Sequence, residues 1–305
     1  MGFLRKNKTI EDLLPGFLLE REMLANRVTS EAYRSHIYVF IHWLEDLGFK
    51  NIGVHKITDQ QVASFFVYLV KERHLDRSTC ERYFLHIRAF FQFAEKRDEV
   101  DRVPFNLVVL PKQNTDKSAD IIHPEHLKLI LKEAKEKDPQ LFLASMILYY
   151  CFIRPGRELR LLKIGDIDME NGLIKVISEH AKNNKRQIVT MPTQLIEICL
   201  EYGIDTADRE LYVFGNKKRF GNKPCSINML RYRFNKIRDR FNLPKGYKFY
   251  SLKHSGATSL HMSGLSMREL MDQLRHTKLE ATQHYLKGHS GIVNPNIRNK
   301  FPNPF

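Results

Sequence analysis

The stretch LFLASMILYYCFIRPGREL, residues 141–159, is almost wholly apolar until it reaches an arginine, and polar residues follow. A helix that is hydrophobic on all sides is normally buried, so this stretch predicts a helix at the centre of a core, with Arg154 at its end. An arginine at the end of a buried helix needs a buried anionic partner or an opening to a cleft. Arg154 is therefore a candidate anion-binding residue.

The charge of the chain points to a polyanionic partner. Over 305 residues the formal net charge is +14. Residues 1–110 hold 16 Lys and Arg against 15 Asp and Glu, whereas the remaining residues hold 33 against 20. The positive field therefore belongs to the C-terminal two-thirds, and it suits nucleic acid or an anionic membrane surface. The length suggests two domains.

The sequence shows no evident targeting or metal-binding signal. No segment reaches the ~18 consecutive apolar residues of a membrane span, and the start, MGFLRKNKTIEDLL, lacks the features of a signal peptide. These observations predict a cytoplasmic protein without a membrane partner. The four cysteines form no C-x-x-C pair, so they predict buried apolar residues rather than a zinc site or disulfides; they are Cys80, Cys151, Cys199 and Cys225.

The first hundred residues predict four helices packed as a bundle. Apolar residues recur at helical spacing in TIEDLLPGFLLEREML, TSEAYRSHIYVFIHWLEDLG, ITDQQVASFFVYLVKER and DRSTCERYFLHIRAFFQFAEKRDEV. Thr58 and Gln61 form a capping-box pattern before the third helix, Thr29 or Ser30 can cap the second, and Ser78 or Thr79 the fourth. The many aromatic residues favour core packing over a stacking platform for bases.

The rest of the chain predicts a second, mostly helical domain. After an aperiodic stretch rich in Pro, Asn and Lys, helices are predicted in HPEHLKLILKEAKEKDPQ and LFLASMILYYCFIR and then from Gln194, Ser226 and Leu252. Two short β-branched segments around the polar turn of NGLIKVISEHAKNNKRQIVTMP predict a β-hairpin. The predicted bounds are a helical domain over 1–108, a linker over 109–119, a second domain over 120–288 and a tail over 289–305.

Four separated stretches carry the candidate reactive side chains, and their order is informative. They are IRPGRELRLLKIGDID from residue 153, AKNNKRQIV from residue 181, YSLKHSGAT from residue 250 and LRHTKLEATQHY from residue 274. In this order and spacing the chain resembles the tyrosine recombinases, the phage-integrase-like family. The resemblance extends over essentially the whole chain, because the first hundred residues are similar to the core-binding domain of that family.

The resemblance implies a fold and a set of site residues. The implied fold is mainly α: a four-helix, SAM-like core-binding domain followed by a mixed α/β catalytic domain with a small antiparallel sheet. The implied catalytic residues comprise a first arginine, a hairpin lysine, a second basic box, a late histidine and a tyrosine nucleophile; they are Arg154, Lys182, Lys253 with His254, His276 and Tyr285.

The chain departs from the family pattern at two places. Glu158 lies four residues after Arg154, whereas the family usually places a glutamate three residues after its first arginine, so Arg157 stays an alternative phosphate ligand. The second box of the family is commonly H-x-x-R-H, and here Tyr250 and Lys253 occupy the first and fourth positions.

The residue types also suit phosphodiester cleavage without reference to the family. Such a reaction needs a nucleophile, cations for the non-bridging oxygens and a proton for the leaving 5′-oxygen. A guanidinium delivers two charge-assisted hydrogen bonds in fixed geometry, and a tyrosine hydroxyl, with a pKa near ~10, needs cationic neighbours or a base to become nucleophilic. Lys182 is the candidate general acid, and Lys185 and Arg186 are alternatives on the same turn.

The resemblance implies a site-specific DNA recombinase that cuts and rejoins double-stranded DNA through a 3′-phosphotyrosyl ester. It implies a homotetramer on DNA, no nucleotide cofactor and no metal, and a tail that packs on a neighbouring subunit. Two alternatives stay open at this point. One is an enzyme similar to the type IB topoisomerases, and the other is a DNA-binding protein whose catalytic site is degenerate, as Tyr250 and Lys253 would allow.

Overall fold

The computed structural model describes residues 7–24, 27–112, 120–177, 187–277 and residue 282. The chain divides into two compact units, Met1–Asp116 and Lys117–Phe305. Among the described residues no helix is both long and apolar enough to cross a membrane.

The first unit contains the four predicted helices. They are α1 (Ile10–Leu24), α2 (Arg27–Asp46), α3 (Asp59–Lys71) and α4 (Arg77–Glu95). The capping box before α3 is confirmed, because the Thr58 side chain accepts a hydrogen bond from the Gln61 amide and the Gln61 side chain accepts one from the Thr58 amide. The predicted cap of α4, Ser78 or Thr79, is wrong, since Asp76 accepts from the Thr79 amide at 2.8 Å and caps the helix two or three residues earlier.

Aromatic residues form the core of the first unit, as predicted. Phe17 and Phe90 meet edge to face with ring centroids 5.5 Å apart, and Phe40 meets Phe65 in the same way at 4.9 Å. All four side chains are buried. Edge-to-face contacts of this kind are among the preferred arrangements of aromatic pairs.

The second unit is built around the apolar helix that the sequence singled out. Its helices are α5 (Pro124–Lys137), α6 (Pro139–Cys151), α7 (Thr193–Glu201), α8 (Met229–Arg240), α9 (Ser251–Met262) and α10 (Met267–Leu274). Helix α6 begins where the Asp138 carboxylate accepts from the Leu141 amide at 3.2 Å. Most of its residues are buried in the core of this unit. The four cysteines of the chain are buried and free, as predicted.

The end of α6 differs from the prediction. The helix stops at Cys151, because Phe152 adopts a left-handed conformation with φ 55° and ψ 25°. Arg154 therefore does not end the apolar helix. It instead precedes a short π-helical turn, Pro155–Leu159.

A small antiparallel sheet lies beside these helices. Strands β1 (Ile167–Asp168), β2 (Leu173–Val176) and β3 (Gln187–Thr190) are ordered β1-β2-β3, and Ile174 pairs with Val189 across the second ladder. The predicted hairpin is confirmed at its two flanks. Strand β1 was not predicted, because two residues are too few to show a period of two.

Helix α9 approaches α6 closely at a glycine. A Cβ atom built on Gly256 would collide with the Tyr149 carbonyl oxygen and lie 3.1 Å from Cε1 of Phe152. The absence of a side chain at Gly256 thus lets the two helices touch. This contact brings Lys253, one turn earlier on α9, to the end of α6.

Gly256→Ala is expected to destabilise the second unit. Alanine is more favourable than glycine in a helix by ~1 kcal/mol, but here its methyl group would force the backbones of α6 and α9 apart. The free energy of unfolding should therefore fall by about 1–3 kcal/mol. Urea denaturation measures this change. The matched control is Gly156→Ala, whose Cβ would have no atom within 4 Å, and equal stability of the two variants would contradict the close packing of α6 and α9.

Candidate active site

Arg154 is oriented by a buried carboxylate. The Glu158 side chain, 1% exposed, accepts hydrogen bonds from Nη1 of Arg154 at 2.6 Å and from the Arg154 amide at 2.9 Å. Burial by itself would raise the pKa of Glu158, but the Arg275 charge and the hydrogen bonds from Arg154 and Arg275 outweigh it and lower the pKa. Glu158 is therefore a carboxylate that fixes the direction of the Arg154 guanidinium.

The π-helical turn explains the unusual spacing between Arg154 and Glu158. The Leu159 amide donates to the Arg154 carbonyl at 2.9 Å, five residues back. This wide turn accommodates one more residue than an α-helical turn, and π turns of this kind are frequent at functional sites. Glu158 thus still reaches Arg154 although it lies four residues after it, instead of the three that are usual in the family. Arg157, the alternative from the sequence, is exposed on the same turn.

Lys253 is fully buried at the end of α6. Its Nζ donates a hydrogen bond to the Phe152 carbonyl at 2.9 Å and lies 5.9 Å from the centroid of the Tyr250 ring. Burial, and next the charges of Arg154 and Arg275, lower the pKa of Lys253 from 10.5 to about 7. An ammonium in this position is costly, and the left-handed conformation of Phe152 supplies its carbonyl acceptor.

The two predicted histidines differ in their surroundings. His276 follows α10, and its Nδ1 lies 3.0 Å from Oγ1 of Thr282. Burial and the nearby cations, Lys253 first among them, lower the pKa of His276 to about 4, so it is neutral at pH 7. His254 is buried beside Lys253, and its ring contacts the Tyr250 ring edge to face at 5.4 Å.

Arg275 belongs to the same cluster, and the sequence reading missed it. Its side chain is 2% exposed, and Nη2 donates to Oε2 of Glu158 at 2.7 Å and to the Phe152 carbonyl at 3.2 Å. The available signal was an arginine directly before a candidate catalytic histidine. A charged residue at a helix end is normally solvated, so this signal alone did not distinguish it.

The described part of the site is a cluster of cations with one carboxylate. Arg154, Lys253 and Arg275 surround Glu158 and the Phe152 carbonyl, and His276 lies near enough to be affected by all three charges. With Lys253 protonated, the cluster has two positive charges in excess. Such a site suits a phosphate group, since fixed cations stabilise the charge that develops during phosphoryl transfer.

Two predicted catalytic residues, Lys182 and Tyr285, and the alternatives Lys185 and Arg186 lie outside the described residues. No group of His, Cys, Asp or Glu suited to holding a metal ion occurs among the residues that are described.

Both parts of the chain match models of one family. The model described as "Phage integrase family" matches residues 121–290, which is more than half of the chain. The model described as "Phage integrase, N-terminal SAM-like domain" matches residues 14–98.

The chain belongs to the phage integrase family.

Curated relatives resemble it along nearly their whole length. A tyrosine recombinase XerC from Pediococcus pentosaceus is 26% identical over 293 residues, which cover 93% of this chain and 94% of the relative. A tyrosine recombinase from Thermosipho africanus is 26% identical over 262 residues, covering 85% and 88%.

Solved structures share the fold. The Tn1549 transposon integrase in complex with a circular intermediate DNA superposes with a TM-score of 0.74 at 16% identity, covering 96% of this chain and 99% of that one. A lambda integrase tetramer bound to a Holliday junction gives a TM-score of 0.72 at 15% identity, covering 91% and 77%. The family, the fold class and, at the level of the family, the recombinase activity predicted from the sequence are confirmed.

The buried lysine predicts a dependence of stability on pH. Because the folded-state pKa of Lys253 is about 7 against 10.5 for the ordinary group, the unfolded chain binds this proton more tightly. The contribution of the neutral Lys253 amine to the free energy of unfolding is therefore complete above about pH 10.5. It declines as the pH falls below that value and is lost once the pH has fallen through about 7. Lys253→Met removes the charge and should raise the free energy of unfolding near neutral pH by about 1–4 kcal/mol.

Urea denaturation between about pH 6.5 and 10 measures this effect, and the gain should shrink as the pH rises. Lys128→Met is the control, because Lys128 is exposed on α5 and should show no such gain. A destabilised Lys253→Met variant, or a gain that does not depend on pH, would contradict the assignment.

Proposed function

We propose that this protein is a site-specific DNA recombinase that cuts and rejoins double-stranded DNA through a 3′-phosphotyrosyl intermediate. The observation that carries the proposal is the partly buried cluster of Arg154, Lys253 and His276 around Glu158, in a chain of the phage integrase family. Its excess of positive charge suits the scissile phosphate.

Arg154 is the assigned ligand of the non-bridging phosphate oxygens. Glu158 accepts from Nη1 of its guanidinium, and the Arg154 side chain is still 28% exposed, so other N–H groups can reach a substrate. A guanidinium in fixed orientation can give two parallel hydrogen bonds to phosphate. Exposed Arg157 lacks this buried carboxylate partner, which favours Arg154.

The proposed reaction has two balanced steps. The Tyr285 oxygen attacks phosphorus, the bond from phosphorus to the 5′-oxygen breaks, and the leaving 5′-oxygen takes a proton from Lys182. His276, neutral at pH 7, and His254 are the candidates to accept the tyrosine proton or to donate to phosphate. In the second step a 5′-hydroxyl oxygen attacks phosphorus and its proton returns to Lys182, while the bond from phosphorus to the Tyr285 oxygen breaks and that oxygen takes back its proton. The ester conserves the bond energy, so resealing needs no nucleotide cofactor and no metal.

The proposed partner is DNA carrying specific recombination sites. The net charge of +14 supports this partner, because phosphate contacts supply most of the non-specific affinity for DNA. We assign a homotetramer that exchanges strands between two duplexes, and the lambda integrase structure, a tetramer on a Holliday junction, supports that assembly by analogy. We further propose that the enzyme is cytoplasmic, is associated with the nucleoid when bound to DNA, and recombines the DNA of a mobile element.

The proposed domain organisation follows the bounds predicted from the sequence. A core-binding domain over 1–108 and a catalytic domain over 120–288 flank a linker over 109–119. The tail over 289–305, which lies outside the described residues, is proposed to pack on a neighbouring subunit. The matches to the two family models at residues 14–98 and 121–290 support the two domains.

Tyr285→Phe is expected to bind DNA normally and to form no covalent complex, because only the hydroxyl oxygen can attack phosphorus. The assay uses nicked duplexes chosen from a random pool for binding to the wild-type protein, and denaturing electrophoresis detects the adduct. Tyr232→Phe is the control, since Tyr232 is an exposed tyrosine on α8, and it should form the adduct like wild type.

An adduct on Tyr285→Phe would refute the assigned nucleophile. A wild-type protein that binds DNA without any adduct would identify a degenerate DNA-binding protein. An adduct together with relaxation of supercoiled DNA, but no strand exchange between two duplexes, would identify a topoisomerase.

A further inference from the structure

Arg275 has an unfavourable backbone conformation. It ends α10 with φ 59° and ψ 43°, in the left-handed region that favours glycine. For a residue with a side chain this conformation costs roughly 1–2 kcal/mol. Strained residues of this kind persist where surrounding interactions hold them, and they concentrate at functional sites.

The Arg275 side chain supplies those interactions. It is 2% exposed, and Nη2 donates to both Oε2 of Glu158 and the Phe152 carbonyl, at 2.7 Å and 3.2 Å. Phe152 is itself left-handed, with φ 55°. Two strained residues, distant in sequence, are thus joined by a hydrogen bond at the active site.

Both acceptors of Arg275 Nη2 are shared with proposed catalytic residues, whereas Nη1 donates to Oε1 of Gln187 at 3.5 Å. The other oxygen of Glu158 accepts from Nη1 of Arg154 at 2.6 Å, and the Phe152 carbonyl accepts from Nζ of Lys253 at 2.9 Å. If Arg275 moved, the Glu158 carboxylate that orients Arg154 and the Phe152 carbonyl that binds Lys253 would each lose a hydrogen bond that holds them in place. Because Arg275 is almost fully buried, it acts on these residues rather than on the DNA.

We propose that Arg275 is a positioning residue of the active site, which holds Arg154 and Lys253 in place by bridging the Glu158 carboxylate and the Phe152 carbonyl. This inference rests on the proposed recombinase function. Arg275 gives the site a second permanently charged guanidinium. It lies near Lys253, which occupies the position where the second basic box of the family commonly has an arginine. The fixed charge of Arg275 also acts on Lys253, since it is one of the causes that lower the Lys253 pKa to about 7, after burial and Arg154.

Two substitutions separate the backbone from the side chain. Arg275→Gly removes the guanidinium and suits the left-handed backbone, so the variant should fold. Arg275→Lys retains the charge but cannot offer a planar fork to two acceptors. The matched control is Arg268→Met on the same helix, because the Arg268 side chain is 86% exposed and pairs only with Asp272 among the described residues.

The measurement is the single-turnover rate of adduct formation on nicked duplexes selected for binding to wild-type protein, with DNA affinity measured in parallel. Arg275→Gly should slow adduct formation by roughly 10²-fold at unchanged DNA affinity, since small misplacements of catalytic groups have effects of that size. Arg275→Lys should fall between Arg275→Gly and wild type. Arg268→Met should match wild type, and added guanidinium ion should partly rescue Arg275→Gly.

The pH dependence distinguishes positioning from a merely structural role. Loss of the Arg275 charge raises the Lys253 pKa, so Lys253 stays protonated to higher pH in Arg275→Gly. The groups that face Lys253 are otherwise unchanged, namely Arg154, Glu158, His276 and the Tyr250 ring. The deficit of Arg275→Gly relative to wild type should therefore shrink between about pH 6 and pH 9.

A wild-type rate for Arg275→Gly, or a deficit that is the same at every pH, would overturn the positioning role while the wild-type adduct still supported the recombinase. Absence of an adduct with the wild-type protein would instead refute the proposed function itself.

Discussion

The buried carboxylate of Glu158 is the interaction on which the described site depends. It is the one anion in contact with the Arg154 and Arg275 guanidinium groups within the described part of the chain. Removing one partner of such a buried pair typically costs about 3–5 kcal/mol, because the remaining charge is left uncompensated. Glu158 therefore allows two guanidinium groups and the Lys253 ammonium to lie close together.

The fold supplies this arrangement through a left-handed residue, Phe152, and a close helix contact at Gly256. Phe152 ends α6 in a left-handed conformation, and its carbonyl oxygen accepts from both Lys253 and Arg275. Gly256 permits α9 to touch α6, which brings Lys253 within reach. The stable core of the second unit offsets the cost of the left-handed conformation of Phe152, so the cations are organised before any substrate binds. Organisation in advance of binding is the usual source of electrostatic stabilisation in enzymes.

Sequence patterns predicted the regular elements, whose apolar residues recur at a fixed period. Helical periodicity located the bundle of the first unit, and the capping pattern of Thr58 and Gln61 is present as predicted. Periodicity did not predict the left-handed residues at the ends of α6 and α10, because neither Phe152 nor Arg275 is a glycine. Lys253 and His276 were identified only through the family resemblance, since each alone resembles an ordinary polar residue, whereas Arg154 also stood out at the end of the apolar stretch. The catalytic roles of all the site residues stay predictions, and Lys182 and Tyr285 lie outside the described residues.

A crystal structure of the protein bound to a nicked DNA duplex would test most directly whether Glu158 directs Arg154 toward the phosphate. We expect the Arg154 guanidinium to donate to the non-bridging oxygens of the scissile phosphate, with Glu158 still bound to both Arg154 and Arg275. A phosphate bound by Arg157, with Arg154 turned away from it, would contradict this arrangement.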